Sequence, residues 1–268
     1  MIKSTLLVIK IGGNVLDEPA ALTTFLADFA ALPEPKILVH GGGKIATQLG
    51  QRLGLEPRYF NGRRITDKAT LDLVTMVYGG LINRQLTAQL QALGCNAIGL
   101  TGADANTLSA VKRPVQAVDF GWVGDVQPAN VDTARLQLFL NQGLSLIIAP
   151  LTHDGQGHLL NTNADTMAAV IASALAPEHR VHLLFCFEKK GILEDPDDEQ
   201  SVLPVLDQAA YLALQEKAAV SGGILPKLDN AFLAANAGVD RVVIGQAEDL
   251  RANALDKVVG TLIVGQKT

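Results

Sequence analysis

The stretch that most limits what this chain can fold into is Thr5-Leu6-Leu7-Val8-Ile9-Lys10-Ile11-Gly12-Gly13. An unbroken run of β-favouring apolar residues makes a strand covered on both faces. A lysine inside such a strand needs a partner for its charge. The glycine pair lets the backbone turn and offers N–H groups at close range. A cation beside bare amides suits a phosphate; the alternative is a strand end whose lysine reaches solvent. The pattern then recurs. Lys36 to His40 is a second short apolar run, Gly41-Gly42-Gly43 follows at once, and Ile45, Leu49 and Leu53 repeat at helical spacing. Two glycine-capped strand ends in a parallel sheet fall on one edge, where α/β proteins bind ligands. Neither cluster matches G-x-G-x-x-G or the P-loop.

Between these strands a helix of roughly 14 residues is expected, with Leu22, Phe25, Leu26 and Phe29 on one face and Pro33 and Pro35 ending it. Asn61-Gly62 marks a hairpin turn and leaves Arg63 and Arg64 at its base, either as a carboxylate clamp or as solvated arginines. Asp67 is placed to cap a long helix reaching about Leu93. Its stripe is Leu71, Val74, Val77 and Leu81, then Ile82, Leu86, Leu90 and Leu93. Gly79-Gly80 inside that helix costs about 1 kcal/mol per glycine, which close approach of another backbone would justify. The helix is therefore either a homodimer seam or an internal packing element.

Further strands are expected at 96–100, 144–149, 181–187, 241–245 and 261–264, with a hairpin excursion over 109–126 and a helix over 131–141. Asn161, Asn163 and Asp165 cluster where a strand becomes a helix running through Ala176. One asparagine suffices for capping, so three polar groups at alternate positions point to something more. Lys227, in Gly222-Gly223-Ile224-Leu225-Pro226-Lys227, opens another helix, where a cation opposes the macrodipole and calls for an anion. The loop from Glu194 to Glu199 reads as solvated. No linker rich in Pro, Gly or Ser divides the 268 residues, so the two halves are expected to share one sheet.

Composition excludes several classes. Aromatics are 4% and net charge is −5, which argues against nucleic-acid binding. No apolar run reaches the ~18 residues of a membrane span. The first strand starts too early to leave room for a signal peptide, so a cytoplasmic protein is expected. Cys95 and Cys186 lie far apart in apolar surroundings and read as reduced core residues. His153 and His158 lack the partners of a metal site, and none is expected.

Six segments together carry a family resemblance. They are Ile9-Lys10-Ile11-Gly12-Gly13, Val39-His40-Gly41-Gly42-Gly43, Asn61-Gly62-Arg63-Arg64-Ile65-Thr66, Val123-Gly124-Asp125-Val126, Asn161-Thr162-Asn163-Ala164-Asp165 and Gly222 to Lys227. In this order the chain resembles the amino-acid kinase family over essentially its whole length, most closely the branch that phosphorylates N-acetyl-L-glutamate for arginine biosynthesis. The resemblance implies an α/β fold: a three-layer αβα sandwich around a mainly parallel central sheet. Residues 1–176 would form the N-terminal lobe for the acylated amino acid and for dimerisation, and 177–268 the nucleotide lobe. Lys10 and Lys227 would stabilise the transferring phosphoryl group, with Asp165 between them. Gly42, Gly43, Arg64 and Asn161 would hold the N-acylglutamate. Gly12, Gly13, Glu188, Lys189 and Gly223 would face ATP, and Mg²⁺ would travel with the ATP phosphates. A carboxylate nucleophile is already ionised at pH 7, consistent with a site lacking a His–Ser pair.

The chain also departs from that family. Phe187-Glu188-Lys189-Lys190-Gly191 stands where the family has an aspartate-containing turn, so Glu188 takes the aspartate's place and Lys189 or Lys190 adds a phosphate contact. Ala105 and Thr152 stand where glycines are usual, both expected on the acyl side, which opens N-succinylglutamate as an alternative substrate. Other kinases of the same fold, and a sensing module without turnover, are the remaining alternatives. The presence of both lysines and Asp165 favours an enzyme. The early first strand leaves out the N-terminal helix of arginine-inhibited members, so an arginine-insensitive homodimer is expected.

Overall fold

The computed structural model describes residues 3–195, 197–216, 224–255 and 257–266, and in it the apolar runs become strands of one sheet. These are β1 (Thr5–Ile11), β2 (Lys36–His40), β3 (Ala97–Leu100), β4 (Ser145–Ile148), β5 (Arg180–Phe187), β6 (Val205–Asp207), β7 (Arg241–Gln246) and β8 (Thr261–Val264). Among the described residues the order is β6-β8-β7-β5-β1-β2-β4-β3, and only β7 and β8 run antiparallel. The two halves of the chain meet where β1 pairs with β5. The expected continuous sheet is therefore present.

Alternation along β1 builds two cores. Leu6 and Val8 face a layer that includes the helices Thr133–Asn141, Ala164–Leu175 and Leu225–Asn236. Leu7, Ile9 and Ile11 face a layer with Pro19–Ala31 and Asn83–Ala92. The result is the expected αβα sandwich. Lys10 follows Leu6 and Val8 on the first face, and its register partner Phe185 belongs to that same core. Cys95 and Cys186 are buried free thiols, and burial pushes Cys186 up to about 12. Among the described residues no helix is long and apolar enough to cross a membrane.

Several expectations need correction. The expected helix after β1 is Pro19–Ala31, with Phe25, Leu26 and Phe29 buried, but a short helix not anticipated, Gly13–Asp17, precedes it and breaks at Glu18. The Asp67-capped helix exists, with Asp67 accepting from the Thr70 N–H, but its middle, Thr75–Ile82, is π-helical. The wider turn advances the stripe by a residue. Leu81 consequently faces outward at 43% exposure, while Ile82, Leu86 and Leu90 are buried; Leu93, the C-cap residue, is 48% exposed. Leu53 also lies outside the core, where Ala46 and Gly50 pack instead. The 109–126 excursion forms a short hairpin ladder, Val111–Lys112 with Gly124–Asp125, and its Ser109, Gly121 and Val123 bridge to His153, Thr66 and Asn161. Strand β6 and the helices Gln208–Glu216 and Leu250–Ala254 carry too little periodicity to be anticipated.

Candidate active site

The C-terminal ends of β1, β2, β5 and β7 lie level, because Ile11 pairs with His40 and with Cys186, and Cys186 with Gly245. Lys10 is the last residue of β1 on the first core face. Its ammonium meets Asp165 Oδ1 at 2.6 Å, and both side chains are close to fully buried. Asp165 reaches it from the first turn of Ala164–Leu175. Lys227, from the first turn of Leu225–Asn236, reaches the same aromatic ring as Lys10. Its Nζ stands 3.9 Å from the centre of the Phe187 ring, and Lys10 Nζ stands 5.6 Å from that centre. Burial, and then the Lys10 charge, hold the Lys227 pKa below its ordinary value, against the opposing pull of Asp165 and Glu188. Two cations and one carboxylate thus converge from three elements that are remote in sequence.

Glycines form the other wall. A side chain on Gly12 would point at Lys10 Nζ, 3.7 Å away. Gly42 has φ of +145°, and a Cβ there would strike Ile82 and Tyr78, both from the π-helical stretch. Gly42 also precedes the helix Gly43–Arg52, whose first turn has no side-chain cap. Beside Gly13, Asp17 pairs with Lys44 at 3.1 Å.

Next to this edge lies a cavity of about 210 Å³, lined in part by Gly42, Gly43, Arg63, Arg64, Tyr78 and Asn161. The Asn-Gly turn sets the two arginines, with Asn61 and Gly62 at φ of 47° and 73°. Arg64 donates to the Gly43 carbonyl at 2.9 Å and to Thr47 Oγ1 at 2.7 Å, and stacks on Tyr59. These partners are neutral, so they orient the guanidinium and leave its charge for an anion. Asn161 donates to Thr66 Oγ1 at 2.9 Å, fixing which way its amide points. Asn163 caps its helix through the Thr166 N–H. The polar cluster therefore divides into a cavity wall, a cap and an ion-pair partner.

A second cavity of about 350 Å³ adjoins the first and shares Arg63 and Arg113 with it. Arg113 forks onto Asp125. Burial and the neighbouring Arg113 charge pull the Arg63 pKa below its ordinary value. Thr152 touches Thr162, which lines the first cavity, through a 2.8 Å contact between hydroxyls. Ala105 lines neither cavity, contrary to expectation; it sits in a left-handed turn with φ of +51°.

The remaining expected residues are less closely drawn in. Glu188 and Lys189 are exposed, and Lys189 pairs with Glu199 at 3.1 Å. Gly223 lies outside the described residues. Among the described residues no group of His, Cys, Asp or Glu side chains converges as metal ligands, and His158 bonds Asp154 at 2.7 Å. Reading the sequence missed Phe187 as the surface shared by both lysines, and Tyr59 and Thr66 as braces. Tyr59 pairs with Arg64 across the hairpin, so its place follows from the turn once the register is set.

Residues 5–246 match the amino acid kinase family. An acetylglutamate kinase of Parabacteroides distasonis is 52% identical over 91% of this chain and 95% of its own length. One from Cytophaga hutchinsonii is also 52% identical, over 97% of this chain and 98% of its own. Among solved structures, an N-acetylglutamate synthase from Neisseria gonorrhoeae superposes with a TM-score of 0.83 at 24% identity. All of this chain aligns there, but it spans 61% of the synthase chain, and the likeness is one of fold.

Proposed function

The chain belongs to the amino acid kinase family, and from that premise we propose that it transfers the γ-phosphoryl group of ATP to the side-chain carboxylate of an N-acyl-L-glutamate. The products are ADP and an acyl phosphate, in the arginine-biosynthetic step that the relatives' name denotes. One observation carries this reading: Lys10, Asp165 and Lys227 converge on a glycine-lined edge beside a cavity that holds Arg64.

The chemistry asks mainly for positioning and charge. Both substrates are anions, so positive groups must gather before they meet. Arg64 takes the α-carboxylate in two-pronged fashion, and Asn161 takes the amide. The amides at Gly42 and Gly43 orient the attacking carboxylate, which needs no general base because it is ionised at pH 7. Lys10 and Lys227 offset the charge that spreads over the phosphoryl oxygens in transit. Asp165 keeps Lys10 aimed and limits repulsion between the cations. Mg²⁺ would be carried on the ATP phosphates and would offset their charge; Asp165, the carboxylate buried at this edge among the described residues, already pairs with Lys10. Residues 1–176 act as the acylglutamate lobe and 177–268 as the nucleotide lobe, with Gly12, Gly13, Glu188 and Lys189 toward the nucleotide. Met76 and Leu81, at 56% and 43% exposure, lie on the long helix as the seam of a homodimer. A cytoplasmic location, where ATP is at hand, fits this reading, and no helix among the described residues is long and apolar enough to cross a membrane.

Hydroxylamine trapping of the acyl phosphate, with MgATP and a panel of N-acylglutamates, tests the reading. Hydroxamate from N-acetylglutamate supports it; none from any member refutes it. A second acyl group, succinyl, is favoured by one observation. Arg63 lines both cavities without an ion pair among the described residues, placed to meet a further carboxylate on the acyl tail. An acetyl preference above about tenfold in kcat/KM, equivalent to 1.4 kcal/mol, retires that alternative.

A further inference from the structure

We propose that Phe187 is a positioning residue, an uncharged rest that holds Lys227 and Lys10 aimed at the phosphoryl site without neutralising either. Phe187 ends β5 on the face that carries Lys10, because Phe185 is the register partner of Lys10 and Phe187 lies two residues further on. Its ring stacks on the buried Phe185, with centroids 6.3 Å apart and planes 22° apart, so its tilt is set by the core. Both ammonium groups lie against this one ring, Lys227 closely at 3.9 Å and Lys10 at 5.6 Å.

The two lysines are held differently. Lys10 has Asp165. Lys227 has no carboxylate within ion-pair distance among the described residues; it faces Lys10 from β1, Asp165 from the Ala164–Leu175 helix, and Glu188 just beyond β5. A carboxylate partner would fix Lys227, but it would also compete with an incoming phosphate for that charge. An aromatic face attracts a cation through its quadrupole and gives it up to a full anion. The ring also fills the space that two like charges would otherwise leave to water. A leucine there would fill volume and do neither.

This inference relies on the kinase reading only for the identity of the anion, so its test includes a readout that needs no turnover. The probe is the NMR spectrum of protein carrying ¹³C-labelled lysine, with Lys227→Arg used to identify the Lys227 signal. In the parent, the methylene protons next to the Lys227 ammonium are shifted upfield by the ring current. That shift is lost in Phe187→Leu, kept in Phe187→Tyr, and reduced when a non-hydrolysable MgATP analogue saturates the site. In kinetics with N-acetylglutamate, Phe187→Leu lowers kcat/KM for MgATP by roughly 2- to 30-fold and moves the alkaline limb of its pH profile downward, because the cation has lost a stabilising neighbour. Phe187→Tyr rescues both. Phe187→Met replaces the leucine variant if that variant does not fold. A Lys227 signal that is the same in the parent and in the ring-less variants overturns the proposal, as does an unmoved alkaline limb with unchanged kcat/KM. A parent protein inert toward every N-acylglutamate would instead defeat the kinase reading, and the spectra would still decide the role of Phe187.

Discussion

Replacing Asp165 with asparagine removes one charge while keeping the shape of the side chain. Lys10 Nζ and Asp165 Oδ1 are 2.6 Å apart, and the two side chains are only 7% and 12% exposed, so water screens the pair little. Deleting one partner of such a pair costs about 3–5 kcal/mol, because the other charge stays buried. At about 2–4 °C per kcal/mol for a protein of this size, the variant should melt on the order of 6–20 °C below the parent. A bound triphosphate supplies the negative charge that the asparagine lacks. Saturating MgATP analogue should therefore raise the variant's melting temperature by more than it raises the parent's. Turnover should fall about 10²-fold, since Lys10 is no longer held in line. Paired thermal melts, with and without analogue at equal concentrations, measure the effect. A variant that melts within about 2 °C of the parent, with both proteins gaining equally from the nucleotide, refutes a buried, mutually dependent ion pair.

Three further substitutions test other parts of the account. The Lys227 pKa lies below 10.5 in the folded protein, chiefly through burial and then through Lys10. The cation therefore costs stability at neutral pH, a cost relieved as pH rises through the folded pKa toward 10.5. Lys227→Met should raise the urea midpoint at pH 7, raise it less at pH 10, and cut turnover about 10²–10³-fold; a midpoint that falls at pH 7 contradicts this. His40 is fully buried between the Gly41 carbonyl and Asn83, and burial pushes it down to about 4 from 6.5. Stability should fall as pH drops from 6.5 toward 4, by up to about 3 kcal/mol, and His40→Gln should flatten that part of the urea-midpoint profile; equal acid slopes in the two proteins contradict this. Ala105 holds φ of +51°, so Ala105→Gly should stabilise by about 0.5–1 kcal/mol, read as a higher melting temperature, whereas a lower one removes the strain argument.

The parts of the fold that could be read in the sequence are those where local chemistry has one solution. A strand that ends in glycines, then a helix, appears twice, and both copies lie side by side as β1 and β2. Asn61-Gly62 dictated a tight hairpin, and with it the side-by-side arginines. Asn161, Asn163 and Asp165 exceeded what a cap requires, and each has a separate partner in Thr66, Thr166 and Lys10. Helical spacing failed where the helix itself changes. The π-helical Thr75–Ile82 stretch shifts the phase, so a stripe that includes Leu81 puts that leucine in solvent and misses the fit of Ile82 against Gly42. Strand β6 is three residues long with only Leu206 buried, which leaves no alternation to detect. Nothing near Phe187 in sequence marks its role, because the charges on its ring come from β1 and from the Leu225–Asn236 helix.

The central claim is that the Lys10 and Lys227 ammonium groups act together on one phosphoryl group. A crystal structure with MgADP, tetrafluoroaluminate and N-acetylglutamate measures this directly. The account predicts both Nζ atoms at about 3 Å from the planar fluoride group, with Asp165 still on Lys10 and Lys227 lifted from the Phe187 ring. A complex in which either ammonium lies beyond hydrogen-bonding reach of that group, with the metal fluoride held by other residues, contradicts it.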